Sequence, residues 1–128
     1  MKRVVFLLML LLIACSAFAD DAVPEPTQNA GATFRLFRTQ NIYTLLKLDT
    51  RTGQIWQLQW GDGDHRFVVP INREFLAPTK PGTVLSPGRF TLVPTSNIYT
   101  FVLIDQEDGR TWQIQWGAEK DRYIVAIP

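Results

Sequence analysis

From Phe34 to the C-terminus, apolar side chains fall on alternate residues in short runs, and clusters of Gly, Pro, Asn and Asp separate the runs. Phe34–Arg38 places Phe34 and Leu36 on one side. Residues 42–48 are almost continuously apolar and rich in branched or aromatic side chains. Residues 55–60 alternate strictly, with Trp56, Leu58 and Trp60 facing one way and Gln57 and Gln59 the other. Residues 66–71 put Phe67, Val69 and Ile71 on one face. A period of two over these lengths predicts strands, and no stretch carries the 3.6-residue period of an amphipathic helix. Pro70 has no N–H to give to a ladder, which predicts an edge position for its strand.

The pattern then repeats. Residues 34–72 align with residues 90–128 without a gap, and 17 of the 39 positions are identical. Asn41-Ile42-Tyr43-Thr44 returns as Asn97-Ile98-Tyr99-Thr100, and Trp56-Gln57 as Trp112-Gln113. Two copies of one unit are joined by residues 73–89, where Pro78, Pro81, Gly82, Pro87 and Gly88 argue against a helix.

Each copy holds one clear turn. Asp49 stands where its carboxylate accepts backbone N–H bonds two residues on, and Gly53 where the chain needs positive φ. Asp105 and Gly109 repeat the arrangement, with Gln106-Glu107-Asp108 between them. A four-residue loop pairs Asp49 with Gln54, so Tyr43 opposes Trp60 and Leu45 opposes Leu58. That register gathers Tyr, Leu and Trp on one face, the expected core of both copies; a loop one residue different would exchange the faces. A Trp buries about 150–250 Å². At ~25 cal/mol per Å² its burial is a large share of any small domain's stability.

The expected fold is all-β: two four-stranded antiparallel meander repeats forming a small eight-stranded barrel, with a β-sandwich as the alternative. Duplication favours a pseudo-twofold arrangement in either case. The Asp-x-x-x-Gly turn followed by Trp is also similar to quinoprotein propeller repeats. Two blades cannot close a ring that needs at least about four, so a propeller requires association of chains.

The hairpin pattern, Asn-x-aromatic, an apolar run, Asp-x-x-x-Gly, then Trp-x-apolar-Gln, resembles that of a group of small exported proteins of Bacteroidetes-type bacteria. Asn41, Tyr43, Asp49, Gly53, Trp56 and Gln59 match it, as do Asn97, Tyr99, Asp105, Gly109, Trp112 and Gln115. The resemblance covers both repeats and implies the hairpin unit and export; it brings no activity, catalytic residue or ligand.

Export is legible at the N-terminus as well. Lys2 and Arg3 precede an apolar run, residues 4–13, too short to span a bilayer core of about 30 Å as a stable helix. Ala17-Phe18-Ala19 before Asp20 predicts a signal peptide over residues 1–19. Leu12-Ile13-Ala14-Cys15 offers the alternative of a lipoprotein signal over residues 1–14, with Cys15 lipidated. Either cut sends the protein to the periplasm or the extracellular space, anchored by lipid in the second case. Residues 20–33 read as a flexible tether before the duplicated domain of residues 34–128.

Composition narrows the chemistry. With 13 basic against 12 acidic residues the chain has no basic stripe for phosphate neutralisation, which excludes a nucleic-acid binder of the electrostatic kind. One Cys and one His cannot build a Cys/His zinc site or a disulfide framework, so no metal or cofactor is expected. His65 lies in the Gly61-Asp62-Gly63-Asp64-His65 loop, which lacks the ligand order of a calcium loop. Ser86 and Ser96 stand outside any Gly-x-Ser-x-Gly elbow. The candidate binding residues are therefore non-catalytic. Gln57, Gln59, Gln113 and Gln115 could form a polar ledge for glycan or peptide, or an amide ladder on a solvated face. Trp60 and Trp116, beside Gly61 and Gly117, become stacking platforms if they emerge at a rim. The resulting expectation is an exported β-domain without enzymatic activity that binds a glycan, peptide or envelope protein. An envelope hydrolase and an oligomeric structural subunit are the alternatives.

Overall fold

The computed structural model describes residues 29–78 and 80–128. The expected signal peptide, Cys15 and residues 20–28 of the tether lie outside them. The described strands are β1 (Phe34–Arg38), β2 (Thr44–Asp49), β3 (Ile55–Gln59), β4 (Phe67–Pro70), β5 (Phe90–Pro94), β6 (Thr100–Asp105), β7 (Thr111–Gln115) and β8 (Tyr123–Ile127). A single 3-10 turn precedes β4 and another precedes β8. The strands form two four-stranded antiparallel meanders, β1-β2-β3-β4 and β5-β6-β7-β8. Among the described residues no ladder joins one sheet to the other.

Register follows the turn chemistry. Leu45 faces Leu58 across β2 and β3, and Phe101 faces Ile114 across β6 and β7, the same pairing 56 residues on. The Arg51 N–H donates to Asp49 Oδ1 at 2.9 Å, and the Glu107 N–H to Asp105 Oδ1 at 3.0 Å. Gly53 and Gly109 close the two loops at φ of 79° and 80°. β4, which carries Pro70, is an edge strand, and so is β5, which carries Pro94.

Pairing sorts each sheet into two faces. One, the Trp face, holds Leu36, Leu45, Trp56 and Leu58 in the first sheet and Leu92, Phe101, Trp112 and Ile114 in the second. The other, the Gln face, holds Phe37, Leu46, Gln57 and Val69 in the first sheet and Val93, Val102, Gln113 and Val125 in the second.

The alternation in the sequence places the Trp face of both copies in the core; the structure buries it in one. Phe90, Leu92, Phe101, Leu103, Trp112 and Ile114 are buried, and the first sheet contributes Leu46, Leu48 and Ile55, from its Gln face, to the same core. The Trp face of the first sheet points outward, with Phe34 52% exposed where Phe90 is fully buried. The reason is geometric. A twofold axis would bring like faces together, whereas these sheets stack in the same sense, Gln face on Trp face.

Polar bonds stitch this seam. The Gly117 N–H donates to Gln57 Oε1 at 2.9 Å, and Arg35 Nη1 to Thr91 Oγ1 at 3.4 Å. The Phe90 N–H reaches the Thr50 carbonyl at 2.8 Å. The linker, without a helix among its described residues, runs along one end of the seam: Ala77 enters the core, Leu76 and Leu85 pack on it, and the Leu76 N–H donates to the Thr52 carbonyl at 2.8 Å. The last residues of the expected tether are engaged too, since Thr50 Oγ1 donates to the Ala32 carbonyl at 2.6 Å.

Candidate functional site

The recurrent Asn-Ile-Tyr-Thr segment builds the same corner in both sheets. Asn41 Oδ1 accepts the Tyr43 N–H at 2.9 Å, bending the chain into β2, while Thr39 Oγ1 donates to the Thr44 carbonyl at 2.8 Å. This is the local side-chain-to-backbone bonding at which Asn and Thr excel. The bend sets the Tyr43 ring against Trp60, centroids 5.3 Å apart and tilted by 54°. Trp60 Nε1 then donates to the Ile42 carbonyl at 2.9 Å. Asn97, Tyr99 and Trp116 repeat the corner with a ring separation of 5.0 Å and an indole bond of 3.0 Å to the Ile98 carbonyl.

What differs is what lies over the rings. Trp116 is 5% exposed because the first sheet covers it; Trp60 is 51% exposed. Of the two expected platforms, one emerges and the other is a buried strand end. The Trp60 indole N–H is already bonded within the corner, so its open surface offers stacking and apolar contact rather than a hydrogen bond.

Trp60 walls two concavities. The larger, about 730 Å³, runs along the outward Trp face past Phe34, Leu36, Leu45 and Ile42, with Arg38 at its side. The smaller, about 500 Å³, lies between Trp60, Tyr43, Gln59, Asp62 and His65. His65 sits on an exposed 3-10 turn, and its Nδ1 is 2.9 Å from the Asp62 carbonyl oxygen. A carbonyl oxygen only accepts, so Nδ1 carries the proton in that contact.

The four glutamines do not form one ledge. Gln57 is buried in the seam on the Gly117 amide, which overturns a solvated amide ladder at that position. Gln113 Nε2 donates to the Tyr123 hydroxyl at 2.7 Å and Gln115 Nε2 to the Asp121 carbonyl at 3.1 Å, both on the outer face of the second sheet. Gln59 lines the smaller concavity beside Trp60. The structure brings Gln59 and Trp60 together and leaves the other candidates elsewhere.

Asp49 and Asp105 keep their turn role but differ in depth of engagement. Asp49 pairs with Arg51 at 2.9 Å. Asp105, fully buried, takes Arg89 Nη2 at 2.8 Å and Arg110 Nη2 at 3.2 Å, and Arg89 reaches Glu107 at 2.8 Å besides. The Asp105 hydrogen bond, foremost, holds the Arg89 guanidinium above its ordinary value. Beside it, Asp108 lies below the ordinary carboxylate range, first because the Arg110 backbone N–H donates to it at 3.0 Å. This cluster was missed from sequence. Arg89 precedes the repeat and Arg110 replaces Gln54, so neither recurs.

A sequence signal for the buried faces was nevertheless present in the differences between copies. Leu103 replaces Lys47 and Phe101 replaces Leu45 on the Trp face, enriching it in the second copy. On the Gln face Phe37, Leu46 and Ile55 become Val93, Val102 and Thr111. The bulkier apolar set marks the buried face of each copy.

Among the described residues no helix is long and apolar enough to cross a membrane, and no group of three or more His, Cys, Asp or Glu side chains is placed to hold a metal ion. Protein-family models, curated proteins and solved structures contain no match to the chain.

Proposed function

We propose that this chain is an exported β-domain that works by recognition and not by catalysis, and that its recognition surface is the outward Trp face of the first sheet with Trp60 at its edge. One observation carries the reading: side chains at equivalent positions are buried in the second sheet and open in the first. Leu36 is 39% exposed where Leu92 is 4% exposed, and Trp60 against Trp116 shows the same contrast. A largely apolar surface of this kind, crossed by the Lys47 ammonium over Trp56 and Phe34, marks an interaction site, because water solvates it poorly and a partner's burial of it is favourable. The chemistry of the surface suits a protein or peptide partner, with the aromatic rim at Tyr43 and Trp60 able to stack on a sugar. In this reading the two sheets are layers placed face to face, the sandwich alternative to a closed eight-stranded barrel.

The test is site-specific photo-crosslinking in producing cells. A photoreactive side chain at Leu36 or Trp60 is expected to give a discrete adduct, and one at Ser86 in the linker none. Absence of an adduct from both face positions overturns the proposal. A hydrolase is the second reading, favoured by the place of His65 in the concavity beside Trp60 and Asp62; it requires His65→Ala to abolish turnover of envelope glycan or peptide.

A further inference from the structure

The outward faces carry information about their occupant, because the seam between the sheets is a worked example of the same surfaces meeting. Within the chain, the Gln face of the first sheet lies on the Trp face of the second. Left open are the Trp face of the first and the Gln face of the second, which are the same two kinds of surface. The second Gln face is also apolar for an outer surface: Val93, Tyr123 and Val125 are all exposed on it. Neither sheet has the polar outer face of a two-layer domain. β6 is apolar on both sides, Phe101-Val102-Leu103-Ile104, the pattern of strands covered on both faces, and β2 shares it at Leu45-Leu46 with the charge of Lys47 on its outward side.

Resting on the reading of the first Trp face as a recognition surface, we infer that its partner is a second copy of this chain, whose second Gln face docks on it head to tail. The seam then repeats between chains. Gln113 stands 56 residues after Gln57, and Gly61 stands 56 before Gly117, so Gln113 of one copy accepts the Gly61 amide of the next as Gln57 accepts Gly117 within the chain. Trp60 acquires the cover that Trp116 already has. Head-to-tail contacts of this kind use two different patches and propagate until a rotation closes them. Four-stranded meanders stacked in one sense are the blades of a propeller, and about four to eight blades close a ring, which corresponds to two, three or four copies at two blades each. The outer seam is less apolar than the inner one, since Lys47 replaces Leu103 and Thr111 replaces Ile55, so folded chains assemble rather than folding together.

The experiment is the mass of the purified full chain and of two variants in solution. Wild-type protein is expected to give one discrete species of two to four chains. Leu36→Glu on the first Trp face and Val102→Glu on the second Gln face each reduce it to a monomer with the circular dichroism of the wild type, weakening association by at least about thirtyfold. An equimolar mixture of the two variants is expected to give a dimer and nothing larger, because each variant keeps the face that the other lacks. Lys47→Leu is expected to tighten the assembly by at least about tenfold, since it restores the residue of the inner seam. A wild-type monomer at the highest concentration reached, or a mixture that stays monomeric, overturns the inference. If the wild type is monomeric while Leu36 still crosslinks to a different protein in cells, the second copy is excluded and the recognition surface stands.

Discussion

The two repeats differ in what covers them more than in how they fold. Both have the same strand order, the same Asp-to-Gly loop and the same Tyr–Trp corner. Yet Trp112 is packed beside Phe90 with ring centroids 6.1 Å apart, while Trp56 lies under the Lys47 ammonium, 4.6 Å from the ring. Identical local instructions therefore yield a core residue in one sheet and a half-open surface in the other. A repeated residue in this chain has a fixed local geometry and an environment set by its neighbour.

Breaking the comparison begins with the indoles. In a monomeric Leu36→Glu background, Trp112→Ala should cost ~3–5 kcal/mol, as for a large side chain removed from a core, and Trp56→Ala under about 1.5 kcal/mol. Denaturant unfolding measures both; equal losses would contradict the stacking sense. The turn aspartates come next. Asp105→Ala removes a fully buried carboxylate that pairs with both Arg89 and Arg110 and should cost about 3 kcal/mol, against ~1–2 kcal/mol for Asp49→Ala, whose Arg51 partner reaches solvent.

The loop glycines sharpen the contrast. Both hold positive φ, which costs an alanine roughly 1–2 kcal/mol. A Cβ at Gly53 would also meet Phe90 and Leu76 at 3.1 and 3.2 Å, whereas one at Gly109 has nothing within 4 Å. Thermal melting should therefore drop further for Gly53→Ala than for Gly109→Ala. Gln57→Ala leaves the Gly117 amide in the seam unpaired and should cost about 1–2 kcal/mol, with Gln113→Ala in the monomer well below that.

The smallest effect is a pH dependence in the second turn. Asp108 is held below its ordinary range in the folded protein, so its contribution is present above the unfolded-state value and fades as pH falls through the folded-state value. Asp108→Ala should lower the denaturation midpoint at neutral pH, and the gap to wild type should close in strong acid. The first turn has Thr52 at that position, whose hydroxyl accepts the Gln54 N–H at 3.3 Å without carrying a charge.

Much of the fold was legible in the order of the residues. The four strands per copy, the edge position of Pro70 and the Asp49–Gln54 closure follow from side-chain chemistry acting within a few residues. The Arg89–Asp105–Arg110 cluster was not, because its arginines lie outside the repeated letters and meet only when the linker returns to β5. Gln57 was misread for a related reason: its alternation with Trp56 says that the two point opposite ways, not which way is in.

By itself the sequence determined the strands, their turns and their register, since these depend on the period of the chain, on a carboxylate reaching two residues ahead and on glycine's tolerance of positive φ. The tertiary structure decided which face of each sheet is dry. Each alternating strand offers two sides, both apolar enough to bury, and stacking in a common sense gives one sheet a cover for its Gln face and the other a cover for its Trp face.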